Sequence, residues 1–367
     1  MRRIHTSTLI ALLLSIATTA QVVPFVNDLD RTMVFAGKRF LEADARPAQQ
    51  MFTFSDALLY TDHAGSLCYY PLEARSSTVL ERRPVDDMQV SGDRAAWRMA
   101  DTLKLLRGGR GQVIATGVER FRVSDSLVVF IDSIAHELVV HWRGQRFPLA
   151  TVDQGSERPQ WTQGANTVTF YDRSRRSVFL FQHGVVRTLT NSTDVGIAVN
   201  GNDVVGYWDD VRDEFKGEAG GPPVRLSGMK PISAQAGDGL IAYVDGTLKL
   251  KAWKGRDVLQ LADSMPSQYW VQDRTLLYLW GGQLMILTDD GPVAVEEYVP
   301  EQWQVSGDLL VYLDINRAIR GIRSNGKRVR FGNEAGIDAF KLFGEAVIYR
   351  SPAGPITIAT DRRTYIF

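Results

Sequence analysis

The chain has 367 residues, 44% hydrophobic and 23% charged, the proportions of an ordinary globular protein rather than a disordered one. Its 42 Lys and Arg balance 42 Asp and Glu, so no net field draws it to nucleic acid or to an anionic membrane, and a charged partner has to be met by a local patch. Its one cysteine, Cys68, excludes an intrachain disulfide and provides no lipid-attachment site near the N-terminus.

Residues 1–20 read as a signal peptide. Arg2 and Arg3 precede the apolar run Leu9 to Ile16, and the small residues Ala17, Thr18, Thr19 and Ala20 follow it. That run is too short to span a bilayer, and no later segment approaches transmembrane length. The expectation is cleavage after Ala20 and an exported protein, periplasmic or secreted.

Residues 21–48 read as a leading half repeat. RTMVFAGKRFLEAD lines up with ELVVHWRGQRFPLA at 137–150, with Phe35 on Trp142, Gly37 on Gly144, Arg39 on Arg146 and Phe40 on Phe147.

From residue 49 to 367 nine full units follow. The clearest is EQWQVSGDLLVYLDINRAIRGIRSNGKRVRFGNEAG, residues 301–336. QWQVS and LLVYLD alternate as half-buried strands do around Gly307-Asp308, and AIRGIR and RVRF form a second hairpin around Asn325-Gly326. A second-strand slot holds Tyr60, Trp97, Phe130, Phe170, Tyr207, Tyr243, Tyr278, Tyr312 and Tyr349, all aromatic and 33 to 40 residues apart. A first-strand slot is read at Phe52, Met88, Phe121, Trp161, Ile197, Ser233, Tyr269, Trp303 and Phe340. Turn pairs such as Ser124-Asp125, Gly201-Asn202-Asp203, Gly237-Asp238-Gly239 and Gly307-Asp308 mark the first hairpin of each unit, and prolines fall between units.

Four short antiparallel strands per unit of about 36 residues resemble the blades of a β-propeller. The Gly-His and Trp-Asp dipeptides of WD40 blades are absent, and VSGDLLVYLD and AGDGLIAYVD are more similar to the blade repeats of uncharacterised, exported, WD40-like or TolB-like bacterial proteins. The resemblance covers residues 49–367 and implies architecture alone: an all-β propeller of eight to ten blades, with nine plus the leading half unit as the best count.

Two residues after the slot aromatic stand Asp62, Asp132, Asp172, Asp209, Asp245 and Asp314. A carboxylate recurring in register reads as a turn device accepting backbone amides more readily than as a cation site. Asp209, Asp210, Asp213 and Glu214 form the densest acidic connection and the candidate calcium loop, without the Asp-x-Asp-x-Asp-Gly spacing. His136 and His141 lie five apart around a strand, not on one helix face, which argues against zinc. No Gly-x-Ser-x-Gly or Ser-x-x-Lys nucleophile signature occurs, so no catalytic residue and no cofactor is assigned.

Candidate partner contacts are Arg328 and Arg330, sharing one face of an outer strand, and Trp208 and Trp253, with Trp280, outside the two slots. The reading that follows is a non-enzymatic exported platform for protein or ligand binding in the cell envelope, its partner a protein or glycan. Its contact surface is expected at the rim loops and the central funnel. The alternatives are a carbohydrate-active enzyme, a glycoside hydrolase or polysaccharide lyase, with a site assembled from several blades at the funnel mouth, and a small-ligand sensor.

Overall fold

The computed structural model describes residues 21–54, 56–74, 76–152, 160–192 and 195–367. The expected signal peptide, residues 1–20, lies outside them.

Nine consecutive segments each fold into a four-stranded antiparallel meander, and a tenth sheet of three strands precedes them. No helix occurs among the described residues. The sheets stand as the ten blades of a propeller, the nine four-stranded ones with strands A to D running from the central channel outward. Blade 1 spans 23–44, blade 2 50–81, blade 3 87–115, blade 4 118–151 and blade 5 161–191; blades 6 to 10 span 198–227, 233–262, 268–294, 303–330 and 340–366.

Blade 9 shows why the sequence folds this way. Strand A, Trp303–Ser306, pairs with strand B, Leu309–Leu313, so that Ser306 faces Leu309 across the two-residue loop Gly307-Asp308. Gly307 takes φ +59°, which glycine supplies without a side-chain penalty. Every residue of strand B is buried, because neighbouring blades cover both faces of the sheet. Strand D, Arg328–Arg330, buries Val329 and exposes the two arginines, as the sequence pattern predicts for an outer edge.

The aromatic of strand B faces the preceding blade, and its polar tip crosses the seam. The hydroxyls of Tyr243 and Tyr278 donate to the carbonyls of Leu226 and Leu261, and Trp97 Nε1 donates to Glu81. This is the partner that a buried Tyr or Trp needs. Opposite each aromatic on strand A stand Met51, Met88, Phe121, Trp161, Ala198, Ala234, Tyr269, Trp303 and Phe340. The predicted slot residues Phe52, Ile197 and Ser233 are therefore one place out of register. Large size points to Phe52 and Ile197, but pairing places Met51 and the small Ala198 and Ala234 in the slot.

The leading segment is a blade rather than a half unit. Val23–Val26, Thr32–Ala36 and Arg39–Asp44 pair in order. Val23 and Phe25 take the places that Leu310 and Tyr312 hold in blade 9. Asn27 accepts from the amides of Leu29 and Arg31 just as Asp314 accepts from Asn316 and Ala318. These three strands thus correspond to B, C and D.

The ring closes by packing. Val23, Phe25, Met33 and Phe35 of blade 1 share a core with Ala346, Ile356 and Ile358 of blade 10. Phe367 sits against Phe25 and Phe40, Tyr365 against Phe35, and Arg350 pairs with Asp28 at 2.7 Å.

Glutamines tie successive inner strands together. Gln89 donates to Phe121 O and accepts from Val123 N of the next blade, Gln235 does the same with Tyr269 and Val271, and Gln304 with Phe340 and Leu342. Each amide closes a two-bond clamp on backbone that no strand partner reaches.

Candidate functional site

The A–B hairpins of seven successive blades, 3 to 9, converge on one end of the channel and enclose a cavity of about 990 Å³. Backbone packs closely there. Asn202 N donates to Gly237 O, Gly239 N to Asn202 O, and Asp238 N to Asp273 O, so the turns of blades 6, 7 and 8 are strung together edge to edge. That spacing is set by glycine. A Cβ on Gly164, Gly201 or Gly237 would collide with the carbonyl of Gly201, Gly237 or Asp273 of the following blade, and none of the three has a positive φ. They are there for close approach, not for turn geometry as the hairpin pattern suggests.

The wall is charged and of mixed sign. Asp87, Asp125, Asp238, Asp273 and Asp308 contribute carboxylates, and Arg120, Arg122 and Arg274 guanidinium groups. Most carboxylates also hold a neighbouring hairpin. Asp238 accepts from Arg274 Nε at 2.6 Å and Asn202 Nδ2 at 3.0 Å, and Asp273 from Gly307 N at 2.8 Å. Asp125 accepts from Ser91 Oγ at 2.5 Å, and Asp308 from Arg323 Nη1 at 2.9 Å. The hydrogen bond from Arg274 to Asp238, followed by their mutual attraction, raises the Arg274 pKa. Arg120 lies over the Trp161 ring, 4.4 Å from its centroid, and Arg122 stands exposed.

Beside the mouth, His141 is buried in the third strand of blade 4, and among the described residues its Nδ1 has no hydrogen-bond partner. Burial, then the charges of Arg107, Arg94 and Arg146, push its pKa down to about 4, so the ring is neutral at pH 7.

The acidic connection 209–214 lies at the opposite end of blade 6, in its B–C turn. Asp209 is buried, with Lys216 Nζ at 2.5 Å, Thr190 Oγ1 at 2.7 Å and Val211 N at 3.1 Å. Asp210 accepts from Ser192, Glu214 lies 3.7 Å from Lys216 and 3.5 Å from Arg225, and Asp213 turns the chain at φ +53°. Among the described residues no group of three or more His, Cys, Asp or Glu has metal-site geometry.

The register-repeated Asp behaves as a turn device. Asp62, Asp132, Asp172, Asp209, Asp245 and Asp314 all accept backbone amides within the following four residues. At Asp245 burial raises the pKa, but hydrogen bonds from Lys251, Thr247 and the Lys249 and Thr247 amides outweigh it and hold the carboxyl at about 2.

Trp208 and Trp253 are not rim contacts. Both lie in the core between blades 6 and 7, and Trp253 is 1% exposed, its ring over Gly217 and its Nε1 donating to Arg256 O. A two-layer reading of alternation assigns the second face of a strand to solvent, whereas a blade is covered on both. Trp280 is 40% exposed. Arg328 reaches Tyr312 OH and the carbonyls of Val295 and Ala294 in the seam between blades 8 and 9, and Arg330 is exposed. No helix among the described residues is long and apolar enough to cross a membrane.

The funnel mouth was expected as a contact surface, but none of the residues that line it was named from the sequence. Its residues lie in seven hairpins with no linear motif, and the only signal was the turn pairs themselves.

A family model described as a 10-bladed beta propeller domain matches residues 16–365. No curated protein matches the sequence. Among solved structures, the computationally designed protein Ika8 is 12% identical over 75% of this chain and 96% of its own, at a TM-score of 0.35. The CRINKLY WD40 ectodomain of the Arabidopsis thaliana receptor kinase ACR4 is 7% identical over 76% and 95%, at 0.36. PorZ of Porphyromonas gingivalis, a surface component of the type-IX secretion system, is 10% identical over 93% of this chain and 63% of its own, at 0.27.

Proposed function

The chain belongs to the 10-bladed β-propeller domain family, and from that footing we propose that it is a binding platform whose contact surface is the charged mouth of its channel. The observation that carries this is the convergence of five carboxylates and three guanidinium groups on one cavity of about 990 Å³. A cavity of this size with both signs of charge suits a polar protein segment or ligand carrying complementary charges. Exposed Leu29, Ile134, Val211, Leu248 and Ile315 on the B–C turns of the opposite end add a second surface for contact. The N-terminal pattern of Arg2, Arg3 and the apolar run supports work outside the cytoplasm, in the cell envelope.

A carbohydrate-active enzyme at the same mouth needs two carboxylates facing one scissile bond. Four of the five carboxylates here are engaged in holding hairpins, which favours recognition over catalysis.

The test is site-specific photo-crosslinking in the producing cell, with the crosslinker at position 122 in the mouth and at Val185 on an outer strand. Adducts formed from position 122 and lost on charge reversal of Asp273 and Arg274 are expected. Equal crosslinking from both positions, or none from 122, overturns the reading. N-terminal sequencing of the mature protein checks export, with Gln21 as the expected first residue.

A further inference from the structure

The backbone-to-backbone approach of inner strands that links blades 5 to 8 ends between blades 8 and 9. Gly164, Gly201 and Gly237 stand three residues beyond the slot residue in blades 5, 6 and 7, and each lets the next blade's carbonyl come within Cβ distance. In blade 8 that position is Gln272. Its side chain occupies the space, and its Nε2 donates to Val305 O at 3.1 Å, so a side chain and not backbone bridges the two inner strands there. Asp273 Oδ2 accepting from Gly307 N, and Thr275 Oγ1 donating to Gly307 O, are side-chain bridges of the same kind.

The gap is a pocket of about 400 Å³. Trp270 of blade 8 and Trp303 of blade 9 line it side by side and meet edge to face, ring centroids 5.7 Å apart and planes at 64°. The amides of Gln272 and Gln304 border it, Leu277 and Val305 supply its apolar floor, and none of its lining residues is charged. Both indoles are half-buried, and among the described residues neither indole N–H finds a hydrogen-bond acceptor. A buried or half-buried indole usually does find one. The pocket thus offers aromatic surface from two indoles and two N–H donors without a protein acceptor, while the Gln304 amide is held at both ends by Phe340 and Leu342 and Gln272 Nε2 by Val305.

We infer that this cleft is a binding site for a neutral pyranose ring, separate from the charged mouth. A pyranose presents an apolar C–H face to an aromatic ring and hydroxyl oxygens at its rim as acceptors, which matches this lining. A phosphorylated or carboxylated ligand finds no cation here. The size lies within the range of small-ligand sites.

The experiment is saturation-transfer NMR on the full chain with methyl β-glucopyranoside, methyl β-galactopyranoside and N-acetylglucosamine as probes. At least one probe is expected to receive saturation, and Trp270→Ala to abolish it while the melting curve stays that of a folded ring. Trp303→Phe keeps a ring in the slot but removes an N–H, and is expected to weaken binding about fivefold, the worth of one neutral hydrogen bond. Arg122→Glu, on another side of the mouth, leaves the signal unchanged, so failure here is distinct from failure of the charged mouth to bind. No transfer to any of the three probes, or transfer that survives Trp270→Ala together with Trp303→Ala, overturns the inference.

Discussion

Replacing Gly201 by Ala tests whether the ring is held at backbone contact. The new methyl carbon would sit against the Gly237 carbonyl, with Val204 Cγ1 at 2.7 Å and Gly237 C at 2.9 Å. Ordinary carbon contacts lie at 3.5 Å or more, so a backbone shift of roughly an ångström is required. Since the obstacle is main chain, no rotamer relieves it. Overpacking of this kind costs about 1–3 kcal/mol. The shift also strains two inter-blade bonds, Asn202 N to Gly237 O at 2.9 Å and Gly239 N to Asn202 O at 3.1 Å, each worth about 1 kcal/mol. Reduced freedom of the unfolded chain returns about 0.4–1 kcal/mol. The net expectation is a loss of about 2–4 kcal/mol, read as a lower urea midpoint at unchanged slope. Gly221→Ala is the matched control: nothing lies within 4 Å of its Cβ position and its φ is not positive, so it should be neutral or slightly stabilising. A Gly201→Ala protein within about 0.5 kcal/mol of the parent, the ordinary range of surface changes, would refute the close-approach account.

Trp253→Ala should cost about 3–5 kcal/mol by leaving a cavity over Gly217, whereas Trp280→Ala, at a 40% exposed site, should cost far less in the same denaturation series. Phe367→Ala removes one of five rings at the closure and is expected to cost about 1–2 kcal/mol, since the side chain is only partly buried; Arg350→Ala breaks an exposed pair with Asp28 and an exposed hydrogen bond to Gly354 O and should leave the melting temperature nearly in place. Stability should fall between pH 6.5 and about 4 in part through His141, whose folded pKa lies below its unfolded value, so that the unfolded chain takes up the proton first. His141→Gln should flatten that part of the melting-temperature profile. Asp245, held at about 2, contributes stability above its ordinary value of 3.8 that is lost as pH falls through that interval, so Asp245→Asn should be destabilising at pH 7 and converge with the parent near pH 2.

The architecture was legible because strand B carries a two-residue signal, an aromatic and then Asp, that serves packing and turn at once. All nine aromatics chosen from the sequence lie where expected. The tenth, Phe25, escaped notice because Asn27 replaces the Asp and no first strand precedes it among the described residues. Strand A was harder to place, since its residues are half-buried throughout and size alone does not fix which face Met51 or Phe52 takes. Trp208 and Trp253 were misjudged for the converse reason: in a blade, both alternating faces are interior. The residues of the mouth, and the Trp270–Trp303 cleft altogether, were invisible for a third reason. Each is made by contact between residues about 34 positions apart, and local patterning carries no information about which hairpins meet.

The seam between blades 10 and 1 bears on how the molecule would respond to load. Every sheet among the described residues belongs to one continuous stretch of chain, so no strand from one end is woven into the blade of the other. A pull applied between Val23 and Phe367 therefore meets no sheet to shear. It first peels apart an aromatic patch and one exposed ion pair, and the ring should spring open there as a gap while the ten blades stay folded.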